Sequence, residues 1–145
     1  MRTPLFISLL MIALLGCSRS TTPVITTPTA AQISEFTANA KITLPASAQP
    51  VGWREERGMD AALWLQLRLP KTELQSFLDG SPFRAAKLGT NDQSLLFKFR
   101  DFFPTPPVHY RCAEQALPNA RYLNILIIDE SDTTNTLVSL MWHET

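Results

Sequence analysis

Residues 61–69 read Ala61-Ala62-Leu63-Trp64-Leu65-Gln66-Leu67-Arg68-Leu69. Side chains alternate along a strand with a period of two, so Leu63, Leu65, Leu67 and Leu69 share one face while Ala62, Trp64, Gln66 and Arg68 share the other. A face made wholly of leucine has to pack on a core, and Pro70 ends the run by withholding a backbone donor. Directly after it, Thr72 and Gln75 have the spacing of a capping box, and Leu74, Phe77 and Leu78 lie at i, i+3 and i+4. The spacing predicts a helix over 71–79, closed by Gly80 in the left-handed region.

Toward the C-terminus, residues 121–129 and 136–143 alternate as two further strands, joined by residues 130–135. In the first, Leu123, Ile125 and Ile127 face one way and Tyr122, Leu126 and Ile128 the other. Apolar residues on both faces mark central strands. On the N-terminal side, Lys41-Ile42-Thr43-Leu44 alternates as a short strand stopped by Pro45. Residues 51–57 form another, with Val51, Trp53 and Glu55 on one side and Gly58 supplying the turn. Residues 32–40 fit either a helix capped by Thr29 and Gln32, with Ile33, Phe36 and Ala40 on one face, or an irregular lead-in. Ser81-Pro82 opens a turn carrying Phe83, Ala86 and Leu88. Residues 94–103 fit a strand through Leu95, Phe97, Phe99 and Phe103, and equally a helix through Leu95, Phe99, Phe102 and Phe103, before Pro104-Thr105-Pro106-Pro107 breaks either. Strands, a helix and strands in that order predict a single α+β domain over residues 32–145. Its expected form is an antiparallel sheet of about five strands with one main helix packed on a face.

The chain has 145 residues, 45% hydrophobic and 18% charged, which suits one globular domain with a modest core. Lys+Arg and Asp+Glu both count 13. Removal of residues 1–16 takes away only Arg2 and leaves a chain near −1, a balance that argues against tracking the phosphates of a nucleic acid.

The N-terminus explains why those 16 residues are expected to leave. Met1-Arg2-Thr3-Pro4 is followed by an uncharged run over residues 5–15 and then by Gly16-Cys17. These are the parts of a secretory signal peptide, and the run is too short for a membrane span of about 20 residues. Leu14-Leu15-Gly16-Cys17 resembles the bacterial lipobox, although Leu15 is bulkier than the commonest residue there. The resemblance implies cleavage before Cys17, a diacylglyceryl thioether on its sulfur and an acyl chain such as palmitate on its amine. Ser18 stands where the inner-membrane retention signal would have Asp, which implies the cell outer membrane, facing the periplasm. Each buried methylene contributes about 0.8 kcal/mol, and stable anchoring takes more than one chain, so lipid on Cys17 suffices without an apolar protein patch. Residues 17–31 are rich in Thr and Pro and read as a tether spanning roughly 20 Å.

Motifs for chemistry are sparse. The sequence has no Gly-x-Ser-x-Gly elbow, no His-Glu-x-x-His and no Cys-x-x-Cys, and its two histidines are His109 and His143. Asp129-Glu130-Ser131-Asp132 lacks the central Gly and terminal Glu of a calcium loop. Glu55, Glu56 and Asp60 are carboxylates of the kind glycoside chemistry uses, but they flank a predicted turn, where charges are solvated. With Cys17 lipidated, Cys112 is a single thiol, expected to be buried rather than to bridge chains. Phe102-Phe103 precedes the prolines, so these rings are either held near the surface or turned into the core.

Three short stretches resemble a group of small exported bacterial lipoprotein domains. They are Leu44-Pro45-Ala46-Ser47-Ala48, Gly58-Met59-Asp60 leading into a strand that closes on Leu69-Pro70, and Ile128-Asp129-Glu130 with residues 138–142. The resemblance implies an exported domain and attaches no chemistry to it. Tyr110-Arg111-Cys112 resembles the opening of a lysozyme-inhibitor lipoprotein family, whose partner cysteine is missing from the sequence. The expected function is non-enzymatic binding at the membrane, in envelope assembly or as an inhibitor or immunity protein, with no catalytic residue, metal or cofactor. The expected anchors for an envelope protein partner are Phe102 and Phe103, with Trp53 and Trp64 on strand faces opposite the leucines. The alternatives are a hydrolase using acidic residues and a carrier of a small apolar ligand between sheet and helix.

Overall fold

In a computed structural model, which describes residues 24–129 and 134–145, the leucine-faced run is β2 (Ala62–Pro70). It lies in a six-stranded sheet with β1 (Gln49–Glu56), β3 (Gly89–Thr90), β4 (Arg111–Leu117), β5 (Arg121–Asp129) and β6 (Asn135–Glu144). The order across the sheet is β1-β2-β6-β5-β4-β3, and every neighbouring pair is antiparallel. After β2 the chain crosses to the far edge, and the meander β4-β5-β6 brings it back beside β2. That return puts β5 and β6 in the interior, as their two apolar faces require.

The leucine face packs against α1 (Ala30–Ala40) and α2 (Lys71–Asp79), through Phe36 and Ala40 and through Leu74, Phe77 and Leu78. Leu123, Ile125, Ile127, Val138 and Leu140 extend this core across the sheet, each at most 1% exposed. The opposite face is covered in part by α3 (Gln93–Phe97), whose Leu95 and Leu96 join Phe99 over Trp64, Cys112 and Leu126. The fold is therefore α+β with an antiparallel sheet. It differs from the expected five strands and one helix by having six strands, two helices on the leucine face and a third on the other.

Several local expectations are met and others corrected. Thr29 and Gln32 make a full capping box, so residues 30–40 are helix. Residues 41–44 are not a strand: Lys41, at φ 57°, ends α1 in the left-handed region. The helix at 71–79 is present, but Pro70 at its N-cap offers no side-chain bond, so the Thr72/Gln75 box does not form its cap; Gln75 bonds Asp79 instead. Gly80 has φ −87°, not a left-handed value, and stops the helix by other means, donating its N–H to Ser76 O at 3.1 Å. Residues 94–103 are helical rather than extended: Asp92 Oδ1 accepts from Ser94 N at 2.9 Å and Leu95 N at 3.3 Å, which starts α3, and a 3-10 turn follows at Arg100–Phe102.

Part of the stretch expected as a tether, residues 24–31, is described and is ordered by contacts. Thr26 exchanges backbone bonds of 3.0 and 2.7 Å with Trp53 at the outer edge of β1, an isolated bridge four residues before α1 begins. Residues 1–16, Cys17 and Ser18 lie outside the described residues, as do Glu130, Ser131 and Asp132 of the acidic loop. No helix of the described residues is long and apolar enough to cross a membrane.

Candidate functional site: an aromatic cleft on the open face of the sheet

The cleft is built by the segment between β3 and β4. Once Asp92 has started α3, the i, i+1, i+4 set Leu95, Leu96 and Phe99 points down onto the sheet, and Phe97 is left pointing away. Phe97 is 62% exposed, unusual for so large an apolar side chain. Trp64 ties the segment down: its Nε1–H donates to the Lys98 carbonyl at 2.9 Å. The Lys98 ammonium donates to Asn124 Oδ1 at 3.1 Å and pairs with the Glu114 carboxylate. On the other side, the Arg54 guanidinium lies 4.1 Å from the Trp64 ring centroid and pairs with Glu56 and, at 3.1 Å, with Asp101 Oδ2.

Phe102 and Phe103 take different paths. Phe102 sits on Gly52 of β1, where an added Cβ would stand only 3.0 Å from the ring's Cε1. It is half-buried and fastens the segment to the sheet. Phe103 instead lines a cleft of about 210 Å³ with Gln93, Leu96, Phe97, Arg100 and Pro106. The Arg100 guanidinium lies 4.3 Å from the Phe97 ring centroid, stacking a cation on the exposed aromatic.

The tryptophans expected as alternative anchors are both buried. Trp53 pairs in register with Leu65, which places it on the leucine face, against the expectation that it lies opposite. There it meets Phe36 edge to face at 6.4 Å. Trp64 does lie opposite the leucines, but α3 and Arg54 cover it. Neither ring is presented to solvent.

Glu55, Glu56 and Asp60, the carboxylates singled out from the sequence, do not line the cleft. All three are exposed, and Arg57 bridges Glu55 at 3.2 Å and Glu35 at 3.3 Å. Glu56 and Asp60 do share a broad hollow of about 510 Å³ with Trp64, Met141, His143 and Glu144. His143 stacks on Tyr122 at 5.3 Å, and its Nε2 is buried with no hydrogen-bond partner among the described residues. Burial holds its pKa below the ordinary 6.5, with the Lys98 charge acting in the same direction, so the ring is neutral at pH 7. His109 lines a separate hollow with Tyr110, Arg111 and Asp129. Cys112 is free and buried, and burial pushes its thiol pKa up. Among the described residues, no group of three or more His, Cys, Asp or Glu is placed to hold a metal ion.

Sequence reasoning named Phe103 but missed Phe97, Arg100 and Pro106. The signal was present in the helical alternative for residues 94–103, which leaves Phe97 off its apolar face. Neither a protein-family model, nor a curated protein, nor a solved structure matches this chain.

Proposed function

We propose that this chain is a lipid-anchored protein of the bacterial envelope that binds a partner protein through the Phe97–Phe103 cleft and carries out no turnover. The observation that carries this reading is Phe97, an aromatic ring left in solvent at the mouth of a concave apolar site. Exposed aromatics beside a pocket are the kind of anchor on which binding energy concentrates, and arginine is the charged residue most often found with them. Phe102 supports the cleft from beneath, while Trp53 and Trp64 serve the core. The address rests on Leu14-Leu15-Gly16-Cys17, with the outer membrane and its periplasmic side following from Ser18 by family resemblance. With Thr26 bound to β1, residues 17–25 can span at most roughly 30 Å, so a lipid on Cys17 would keep the domain close to the membrane.

The test is in cells that make the full chain. A photo-crosslinking residue at Gln93 should give one dominant protein adduct, lost in Phe97→Ala and Phe103→Ala while the far-UV circular dichroism is kept. Glu55→Ala, Glu56→Ala and Asp60→Ala should leave the adduct intact, and Cys17→Ser should release the chain from membranes. The alternative is a hydrolase using Glu56 or Asp60 in the hollow beside His143. A phenotype that needs one of these carboxylates and ignores Phe97 and Phe103 would establish it instead.

A further inference from the structure

The chemistry of the partner follows from the charge around the cleft, and this step rests on the binding role proposed above. Between Gly80 and Cys112 lie five basic residues, Arg84, Lys87, Lys98, Arg100 and Arg111, and two acidic ones, Asp92 and Asp101. The segment therefore carries a net +3. The rest of the chain after residue 16 has seven basic and eleven acidic residues, a net −4. Of the five basic residues between Gly80 and Cys112, Arg100 lines the cleft, while Arg84 lies in, and Lys87 just after, the 3-10 turn that packs on the leucine-face core through Phe83, and Arg111 has Asp129 Oδ2 at 3.8 Å.

Within the segment the charges are not equally satisfied. Glu114 takes Lys98, and Arg54 takes Asp101 through Oδ2 at 3.1 Å. Arg100, 61% exposed, has Asp101 Oδ1 at 3.7 Å as a carboxylate neighbour, too long for a hydrogen bond. The planar guanidinium is stacked over Phe97 with its donors available at the rim. A volume of about 210 Å³ is below the roughly 300–1,000 Å³ of pockets that enclose a drug-sized ligand, and suits one large side chain.

We infer that the cleft takes a single aromatic or large aliphatic side chain from an acidic stretch of a partner polypeptide, with a neighbouring aspartate or glutamate bound by Arg100. The apolar side chain packs among Leu96, Phe97, Phe103 and Pro106, and the carboxylate replaces the distant Asp101 as the partner of the guanidinium. The exposed guanidinium at the rim attracts a carboxylate on the partner and disfavours a neighbouring cation.

Acetylated pentapeptide amides with a central phenylalanine flanked by two aspartates, two serines or two lysines test this by titration against the purified full chain. Dodecanoate and a dilution series of the protein alone are run beside them. The aspartate peptide should bind about tenfold more tightly than the serine peptide, the gain expected of one charge-assisted hydrogen bond. The lysine peptide should bind more weakly than either. Arg100→Gln should abolish the aspartate preference, so that the aspartate and serine peptides bind alike, whereas Phe97→Ala should weaken all three; raising salt should shrink the preference. Equal binding of the three peptides, all dependent on Phe97, would overturn the acidic partner while leaving the binding role intact. Failure of every peptide together with a Gln93 crosslink indifferent to Phe97 would overturn both. Dodecanoate displacing the aspartate peptide at lower concentration would replace the polypeptide by a lipid, and concentration-dependent association lost in Phe97→Ala would replace it by a second copy of the chain.

Discussion

Asn119 and Ala120 reverse the chain between β4 and β5 with φ of 63° and 54°. Asparagine tolerates the left-handed region, but for alanine it costs about 1–2 kcal/mol, because Cβ crowds the following carbonyl. The turn is held there by Thr145, whose N–H donates to the Ala120 carbonyl at 3.2 Å. Ala120→Gly removes the crowding and returns about 0.4–1 kcal/mol of freedom to the unfolded chain. The balance is a stabilisation of roughly 0.5 kcal/mol, read as a higher urea midpoint at unchanged slope. A lower midpoint would mean that the alanine methyl makes contacts worth more than the strain. The same scale explains Arg100: one side chain, exposed and poorly neutralised, gives the cleft its chemistry, and nothing in its immediate sequence sets it apart from Arg84 or Arg111.

Gly52 joins two elements. It lies on β1 opposite Gln66 of β2, and the space left by its missing side chain receives Phe102 from the 3-10 turn after α3. An alanine there would stand 3.0 Å from the Phe102 ring and 3.3 Å from Gln66 Cβ, so the turn has to shift outward. Gly52→Ala should destabilise the domain by about 1–2 kcal/mol as an overpacked contact. It should also weaken the Gln93 crosslink although Gly52 does not line the cleft. The cost should shrink in a Phe102→Ala background, since the two sites touch and are not additive. Equal costs in both backgrounds, measured by thermal denaturation, would show that Phe102 is not seated on Gly52. At this scale β2, α2, β5 and β6 were legible from periodicity, because their alternation or i, i+3, i+4 spacing is unbroken. β4 was not: Arg111-Cys112-Ala113-Glu114-Gln115-Ala116-Leu117 carries no clean alternation, and its small residues are accepted only because the meander from β5 pairs with it along its whole length.

In the whole molecule the sheet is a shared wall between two apolar layers, and Cys112 lies in the second of them, 1% exposed, beside Tyr110, Leu126 and Phe99. Alkylation of the native chain at pH 8 should be slower than that of a free thiol by orders of magnitude, and complete in denaturant without reductant. A dimer that disappears with reductant would show instead that the thiol reaches a second chain. Burial also raises the thiol pKa, so above the ordinary value of about 8.5 the native chain keeps a proton that the unfolded chain loses. Stability should therefore fall as pH rises beyond that value, and Cys112→Ala should flatten the Cys112 part of the decline.

Sequence alone determined which residues share a face. The leucines of β2 stand together, Leu74, Phe77 and Leu78 form one side of α2, and the helical option for residues 94–103 already leaves Phe97 outside. These follow from periods of 2 and 3.6, which are local properties of the chain. Which face meets cover was decided only in three dimensions. The register of β1 on β2 set Trp53 against the leucines, and a one-residue slip would have turned it outward. The path of α3 over the sheet buried Trp64 and Cys112, exposed Phe97, and brought Arg100 to the rim of a cleft whose floor is Leu96. Register and covering segments depend on contacts between residues tens of positions apart, such as Trp64 with Lys98, and no local period encodes them.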